Sequence, residues 1–172
     1  MTAQALYLQK RTSAADAVRH VHNGDTIIVS TGVGEPPTLL TELSTQRHSF
    51  QNVKVAQILA LRKYAYFDPE TVANVRHVAL FYGPASRAGG QAGWVDFTPN
   101  YFSEIPAQIE RGQIPAEVVF SMASPMDAHG YFSLSLGADY TMAAVAKARA
   151  VLLEVNPNVP FAYGNCLVHV SQ

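Results

Sequence analysis

One cysteine, Cys166, stands in 172 residues, too few thiols for a disulfide framework and suited to a reducing compartment. Charge is also scarce: Asp, Glu, Lys and Arg make up 15% of the chain, and the net charge is -1. That balance leaves no electrostatic footprint for nucleic acid or an anionic membrane. No HExxH or CxxC occurs, and His20 and His22 fall on different faces of a helix, so no metal site is expected. No apolar run approaches the ~18 residues of a membrane-spanning helix. The opening MTAQALYLQKRT carries its basic pair after a short mixed stretch, unlike a secretory signal. The expectation is a soluble, cytoplasmic protein with no tightly bound cofactor.

What the chain does have is apolar residues, 48% of the total. One domain with a sizeable core is expected over 1–172, with some apolar surface meant for covering. Helical and strand patterns alternate throughout. Ser13 caps a helix beginning at Ala14, with Asp16 completing a capping box, and Asn23-Gly24-Asp25 ends it. Thr26–Ser30, Val53–Leu59, His77–Phe81, Glu117–Met122 and Ala150–Val155 read as buried strands. Pro36 and Pro37 suit the first turn of a helix that buries Leu39, Leu40 and Leu43. Ser103–Gly112, capped by Ser103, and Ala138–Lys147 read as further helices; Arg62–Asn74 shows no clear period. The fold class this predicts is α/β, a largely parallel sheet flanked by helices.

The first strand-to-helix junction, Ser30-Thr31-Gly32-Val33-Gly34-Glu35-Pro36, carries the best local signal. Open α/β sheets bind ligands at such junctions, where glycines admit a ligand to the backbone and N–H groups at the helix start face developing negative charge. The same residues also serve as a plain tight turn. They form neither a dinucleotide fingerprint, lacking a third glycine, nor a P-loop, lacking Gly-Lys-Ser/Thr. Glu35 sits at the mouth of the junction, where the helix dipole favours a carboxylate without any catalytic role. His129 lies in the polar turn Asp127–Gly130. Cys166 reads as a small buried hydrophobe. The aromatics Tyr64, Tyr66, Phe67, Phe81, Tyr82, Trp94, Phe97, Tyr101 and Phe102 lack basic interleaving and read as core and pocket lining.

The stretch SMASPMDAHGYFSL from Ser121, followed by GADYT from Gly137, resembles the "SPPDxHGYxSLG…DYT" signature of the acetyl-CoA hydrolase/transferase family, which includes 4-hydroxybutyrate, butyryl and succinyl CoA-transferases. Three further pieces agree in order: Asn23–Pro36, Phe97–Pro106 and Val151–Pro160. The resemblance implies a CoA-transferase-like domain, one of a similar pair with the active site between them. It implies a ping-pong transfer of CoA between carboxylic acids through a glutamyl-CoA thioester. Coenzyme A then enters as substrate and product, with an acyl-CoA, a short carboxylic acid and the C-terminal domain as partners in a homo-oligomer. The nucleophilic glutamate belongs to the family's second domain and has no counterpart up to Gln172, so the chain alone is expected to be incomplete and inactive.

Within this half the resemblance implies that Ser30, Gly32, Val33 and Gly34 face the acyl group, with backbone N–H groups around Val33 and Gly34 turned to the thioester oxyanion. Pro99, Asn100, Tyr101, Ser124, Pro125, His129, Gly130 and Tyr131 are expected to line the substrate cleft. Met126 stands where the family often has a second proline, and Phe132 where it has a cysteine. Two other readings stay open: a non-catalytic module binding acyl-CoA or a nucleotide, and a sugar-phosphate isomerase of similar fold.

Overall fold

The computed structural model describes residues 2–172. Among the described residues, eight strands run β1 (Thr26–Val29), β2 (Val53–Gln57), β3 (Val75–Ala79), β4 (Asp96–Phe97), β5 (Val118–Ala123), β6 (Tyr131–Ser133), β7 (Ala150–Val155) and β8 (Leu167–His169). Six of them form one wholly parallel sheet in the order β4-β3-β2-β1-β5-β7. β6 and β8 pair antiparallel as a separate ribbon. The helices are α1 (Ala3–Lys10), α2 (Ala14–Ala17), α3 (Pro37–Thr45), α4 (Arg87–Ala92), α5 (Ile105–Glu110) and α6 (Thr141–Val145).

The apolar strands are continuous runs because both sheet faces are covered. Ile27 and Val29 of β1, Val118 and Phe120 of β5, and Ala150 and Leu152 of β7 join one core with Leu39, Leu40 and Leu43 of α3. Ile28, Val119, Val151 and Leu153 point the other way, into a second core with Ile105 and Ile109 of α5, Tyr140 at the start of α6 and Ala144 within it. Successive side chains of one strand thus feed opposite layers.

The α/β class and the five read strands hold, each to within one or two residues at its ends. The Ser13 cap holds as well: its hydroxyl accepts from Asp16 N at 3.1 Å. Ser103 is not a cap. A 3-10 turn already spans Phe102–Glu104 before α5, and the turn starts where Tyr101 N donates to the Glu104 carboxylate at 3.2 Å. The helix expected over Ala138–Lys147 contracts to Thr141–Val145, because Ser135–Gly137 forms its own 3-10 turn and Asp139 accepts from Thr141 N. Arg62–Asn74 resolves into two 3-10 turns, Ala65–Phe67 and Pro69–Thr71, the first packed against β3 and α3.

Candidate active site at the switch point of the sheet

β1 connects onward to β2 on one side while β5 lies on its other side, so the strand order reverses between β1 and β5. A crevice opens at such a point beyond the carboxyl ends of the strands. Ser30 leaves β1 there. Its hydroxyl, wholly buried, donates to Ser121 Oγ of β5 at 2.7 Å and lies 3.0 Å from Thr141 Oγ1 of α6. These three hydroxyls join β1, β5 and α6 beneath the crevice.

Gly32–Gly34 winds into a 3-10 turn that rests on the Ser135–Gly137 turn. A Cβ on Gly34 would lie 2.8 Å from Gly137 Cα and from Ser30 Cβ, so glycine here is a matter of space. Gly34 N–H donates to Thr31 O at 3.0 Å, and Gly32 N–H to Leu59 O at 3.1 Å. Val33 N–H has no acceptor among the described residues, and its side chain is 60% exposed. Beside it lies a cavity of about 180 Å³ walled by Val33, Met122, Leu134, Leu136 and Val159, with Asn158 at the rim. Ser135, which stands where the quoted signature has glycine, also borders it and holds a left-handed φ of 50°.

The free donors expected at the helix start are not there. Pro36 and Pro37 carry no N–H, and the Glu154 carboxylate, reaching over from β7, accepts from Thr38 N at 2.8 Å and Leu39 N at 3.1 Å. Glu35 is likewise not at the mouth of the junction. It turns inward, 4% exposed, and accepts from Tyr64 Oη at 2.7 Å, Gln57 Nε2 at 3.0 Å and Leu61 N at 3.0 Å. Gln57 Nε2 also donates to Ser30 O at 3.1 Å, so this cluster clamps the β1–α3 loop onto the end of β2. Burial, reinforced by the bond to Glu35, holds the Tyr64 phenol well above its ordinary pKa.

The other expected cleft residues divide into two groups. Pro99, Asn100 and Tyr101 follow β4, three strands away from β1. Asn100 Nδ2 is tied to Leu80 O at 3.2 Å and Thr98 O at 2.5 Å, while Tyr101 is exposed. Ser124 Oγ donates to Pro125 O at 3.0 Å and accepts from Ser133 N at 3.0 Å, which staples the two sides of the β5–β6 turn. His129, Gly130 and Tyr131 lie at the far end of β6 and do not line the cavity. A Cβ on Gly130 would lie 2.8 Å from Ala3 Cβ of α1, and the Tyr131 ring meets His169 of β8 edge-on at 4.9 Å. The Asp127 carboxyl is held below its ordinary pKa, foremost by Tyr131 N–H and then by His129 N–H. Cys166 is buried, its thiol donating to Ala162 O at 3.3 Å, in line with a small packed hydrophobe.

Of the aromatics, Tyr64, Tyr66 and Phe67 are core, whereas Phe81 after β3, Phe97 at the last position of β4, and Tyr101 and Phe102 after it are exposed. With Leu61 after β2 and Val33 after β1, they form an apolar rim over the carboxyl edge. Ser135, Leu136 and Glu154 are the site residues that local reading missed. Glu154 lay inside the quoted piece Val151–Pro160, and Ser135 and Leu136 in the two-residue gap between SMASPMDAHGYFSL and GADYT, but only the fold brings them to the β1 loop.

Residues 1–172 match the model of the acetyl-CoA hydrolase/transferase N-terminal domain. The chain is 39% identical over 166 residues to succinyl-CoA:cyclohexane-1-carboxylate CoA transferase of Geobacter metallireducens, covering 96% of this chain and 38% of that protein. It is 30% identical over 171 residues to 4-hydroxybutyrate coenzyme A transferase of Clostridium kluyveri, covering 99% and 40%. RipA from Yersinia pestis superposes with a TM-score of 0.91 at 28% identity, over 99% of this chain and 42% of its own. The chain therefore spans about two fifths of the length of these relatives. No helix among the described residues is long and apolar enough to cross a membrane. By the match over its whole length, the chain belongs to the acetyl-CoA hydrolase/transferase family as its N-terminal domain.

Proposed function

We propose that this chain is the N-terminal half of a cytoplasmic acyl-CoA:carboxylate CoA-transferase, or of an acyl-CoA hydrolase, acting on short-chain acyl-CoA. The observation that carries the reading is the unshared Val33 N–H beside an apolar cavity at the switch point of the sheet. A preorganised backbone donor next to an apolar wall suits a thioester, whose carbonyl oxygen gains charge while its acyl chain avoids water.

The nucleophile in this reading comes from outside the 172 residues. Glu35, the carboxylate nearest the loop in sequence, already accepts three hydrogen bonds in the interior and offers no free oxygen to the cavity. A glutamate carboxylate of the second domain attacks the thioester carbonyl, and the CoA thiolate leaves as a mixed anhydride forms. The thiolate then attacks the glutamyl carbonyl, releasing the first carboxylic acid and leaving an enzyme–CoA thioester. The acceptor carboxylate reverses the two steps, whereas water in its place gives hydrolysis. Val33 N–H stabilises the oxyanion of each addition. The cavity walls hold the acyl chain, and the relatives' cyclohexane-1-carboxylate, 4-hydroxybutyrate and butyrate are of a suitable size. Pro99, Asn100 and Tyr101 face the pantetheine arm. Pro125, His129 and Tyr131, exposed on a turn that packs on α1 and β8, offer a surface to the second domain, and the buried Ser124 and Gly130 hold that turn in place.

CoA transfer from acetyl-CoA to a set of short carboxylates, assayed on this chain and on the complete natural polypeptide, tests the reading. Transfer by the complete polypeptide only is expected. Transfer by the 172-residue chain would place a nucleophile within it, and no transfer or hydrolysis by either would return the chain to a binding role.

A further inference from the structure

Among the described residues β7 is an edge of the sheet, paired only with β5. Asn156 N donates to Ala123 O, which puts the even-numbered backbone groups of β7 on the β5 side. By the alternation of a parallel ladder, the N–H and C=O groups of Val151, Leu153 and Val155 point away from the sheet. Edges left open to water are usually blunted by lysine, proline or a bulge. Ala150–Val155 has none of these, and its one charged side chain, Glu154, is turned into the start of α3.

The space beyond this edge has the form of a slot. Both helical layers extend past the sheet: Tyr7 of α1 stands on one side, Ala17 and Leu39 on the other, and β7 forms the floor. The slot encloses about 440 Å³. All of β7 from Ala150 to Glu154 is only partly buried, whereas β1 is wholly buried. Lys10 and Arg11 rim the slot at the end of α1.

We propose that the slot beside β7 takes an added β-strand from the part of the polypeptide beyond these 172 residues. A row of outward backbone groups between two apolar walls fits an extended chain; a helix leaves those groups unpaired. The strand is about six residues long, matching β7, with apolar residues toward both layers and a carboxylate at the Lys10–Arg11 rim. The curated relatives carry roughly three fifths of their length outside the matched region, which supplies such a segment. The inference rests on family membership and not on the reaction proposed above.

Amide hydrogen exchange at single-residue resolution in the complete natural polypeptide tests it. Val151, Leu153 and Val155 are expected to exchange at least ~100-fold more slowly than amides of exposed loops, at a rate unchanged on dilution. Fast exchange at all three would show an open edge and overturn the proposal. Protection lost on dilution would make the occupant a second copy of the chain, which also overturns it. In the same polypeptide Leu153→Pro, which deletes one outward N–H, should lower Tm by several degrees more than Leu153→Val. Equal shifts would mean that the slot is covered without strand pairing.

Discussion

Gly34 and Gly137 meet backbone to backbone: a Cβ on either would come within 2.9 Å of the other's Cα. The contact joins the loop after β1 to the turn before α6 and sets the floor of the cavity beside Val33. Gly34→Ala and Gly137→Ala should each cost about 1–3 kcal/mol, because backbone has no rotamer with which to yield. In a protein of this size that is roughly 2–4 °C of Tm per kcal/mol, read by thermal unfolding. Gly32→Asn is the control. Gly32 has a φ of 50° but open space around its missing Cβ, and asparagine tolerates that conformation, so little change is expected.

Glu35 should behave as a structural carboxylate. Glu35→Ala strands Leu61 N–H and the Tyr64 hydroxyl and leaves Gln57 Nε2 with Ser30 O alone, with an expected cost on the order of 3 kcal/mol in urea unfolding. Glu35→Gln should weaken stability yet still allow a covalent CoA adduct in the complete polypeptide. Mass spectrometry of peptides after incubation with acyl-CoA reads this, and loss of the adduct in the variant, or an adduct on Glu35 in the unsubstituted polypeptide, would overturn the assignment.

His77 should give the fold an acid-sensitive limb. Wholly enclosed in the core beside Phe67, at 4.2 Å between ring centres, it has a pKa lowered by burial from 6.5 to about 3. The unfolded chain takes up a proton below pH 6.5 that the folded chain refuses until about pH 3. This contribution to stability is therefore complete above pH 6.5 and lost progressively as pH falls toward 3. The loss at pH 5 is about 2 kcal/mol relative to pH 7, and His77→Leu should remove that part of the slope in urea titrations across this range.

Val33 should decide acyl preference without deciding stability. Its side chain is exposed and borders the cavity, so Val33→Ala and Val33→Phe should shift unfolding by no more than about 0.5 kcal/mol. In the complete polypeptide the same changes should move kcat/KM between acetyl-CoA and a six-carbon acyl-CoA by roughly ten-fold, in opposite directions. Unchanged ratios would remove Val33 from the acyl wall.

Much of this architecture was legible in local pattern. The parallel sheet announces itself because strands covered on both faces, such as Thr26–Val29 and Ala150–Val155, need apolar residues at successive positions. The Ser13 cap is a bond between residues three apart, so spacing alone reveals it. The ordered motifs pointed to the family that the comparison with known proteins then showed. The burial of Glu35, the capping of α3 by Glu154 and the meeting of Gly34 with Gly137 were beyond such reading. Each depends on partners 22 to 116 residues away, brought together only when β1, β2, β5 and β7 take their places in the sheet. Periodicity records which side of an element faces apolar surroundings. Which polar group satisfies which, and whether a loop N–H is left free, follows from the tertiary packing because buried donors and acceptors take whatever partner the fold sets within reach.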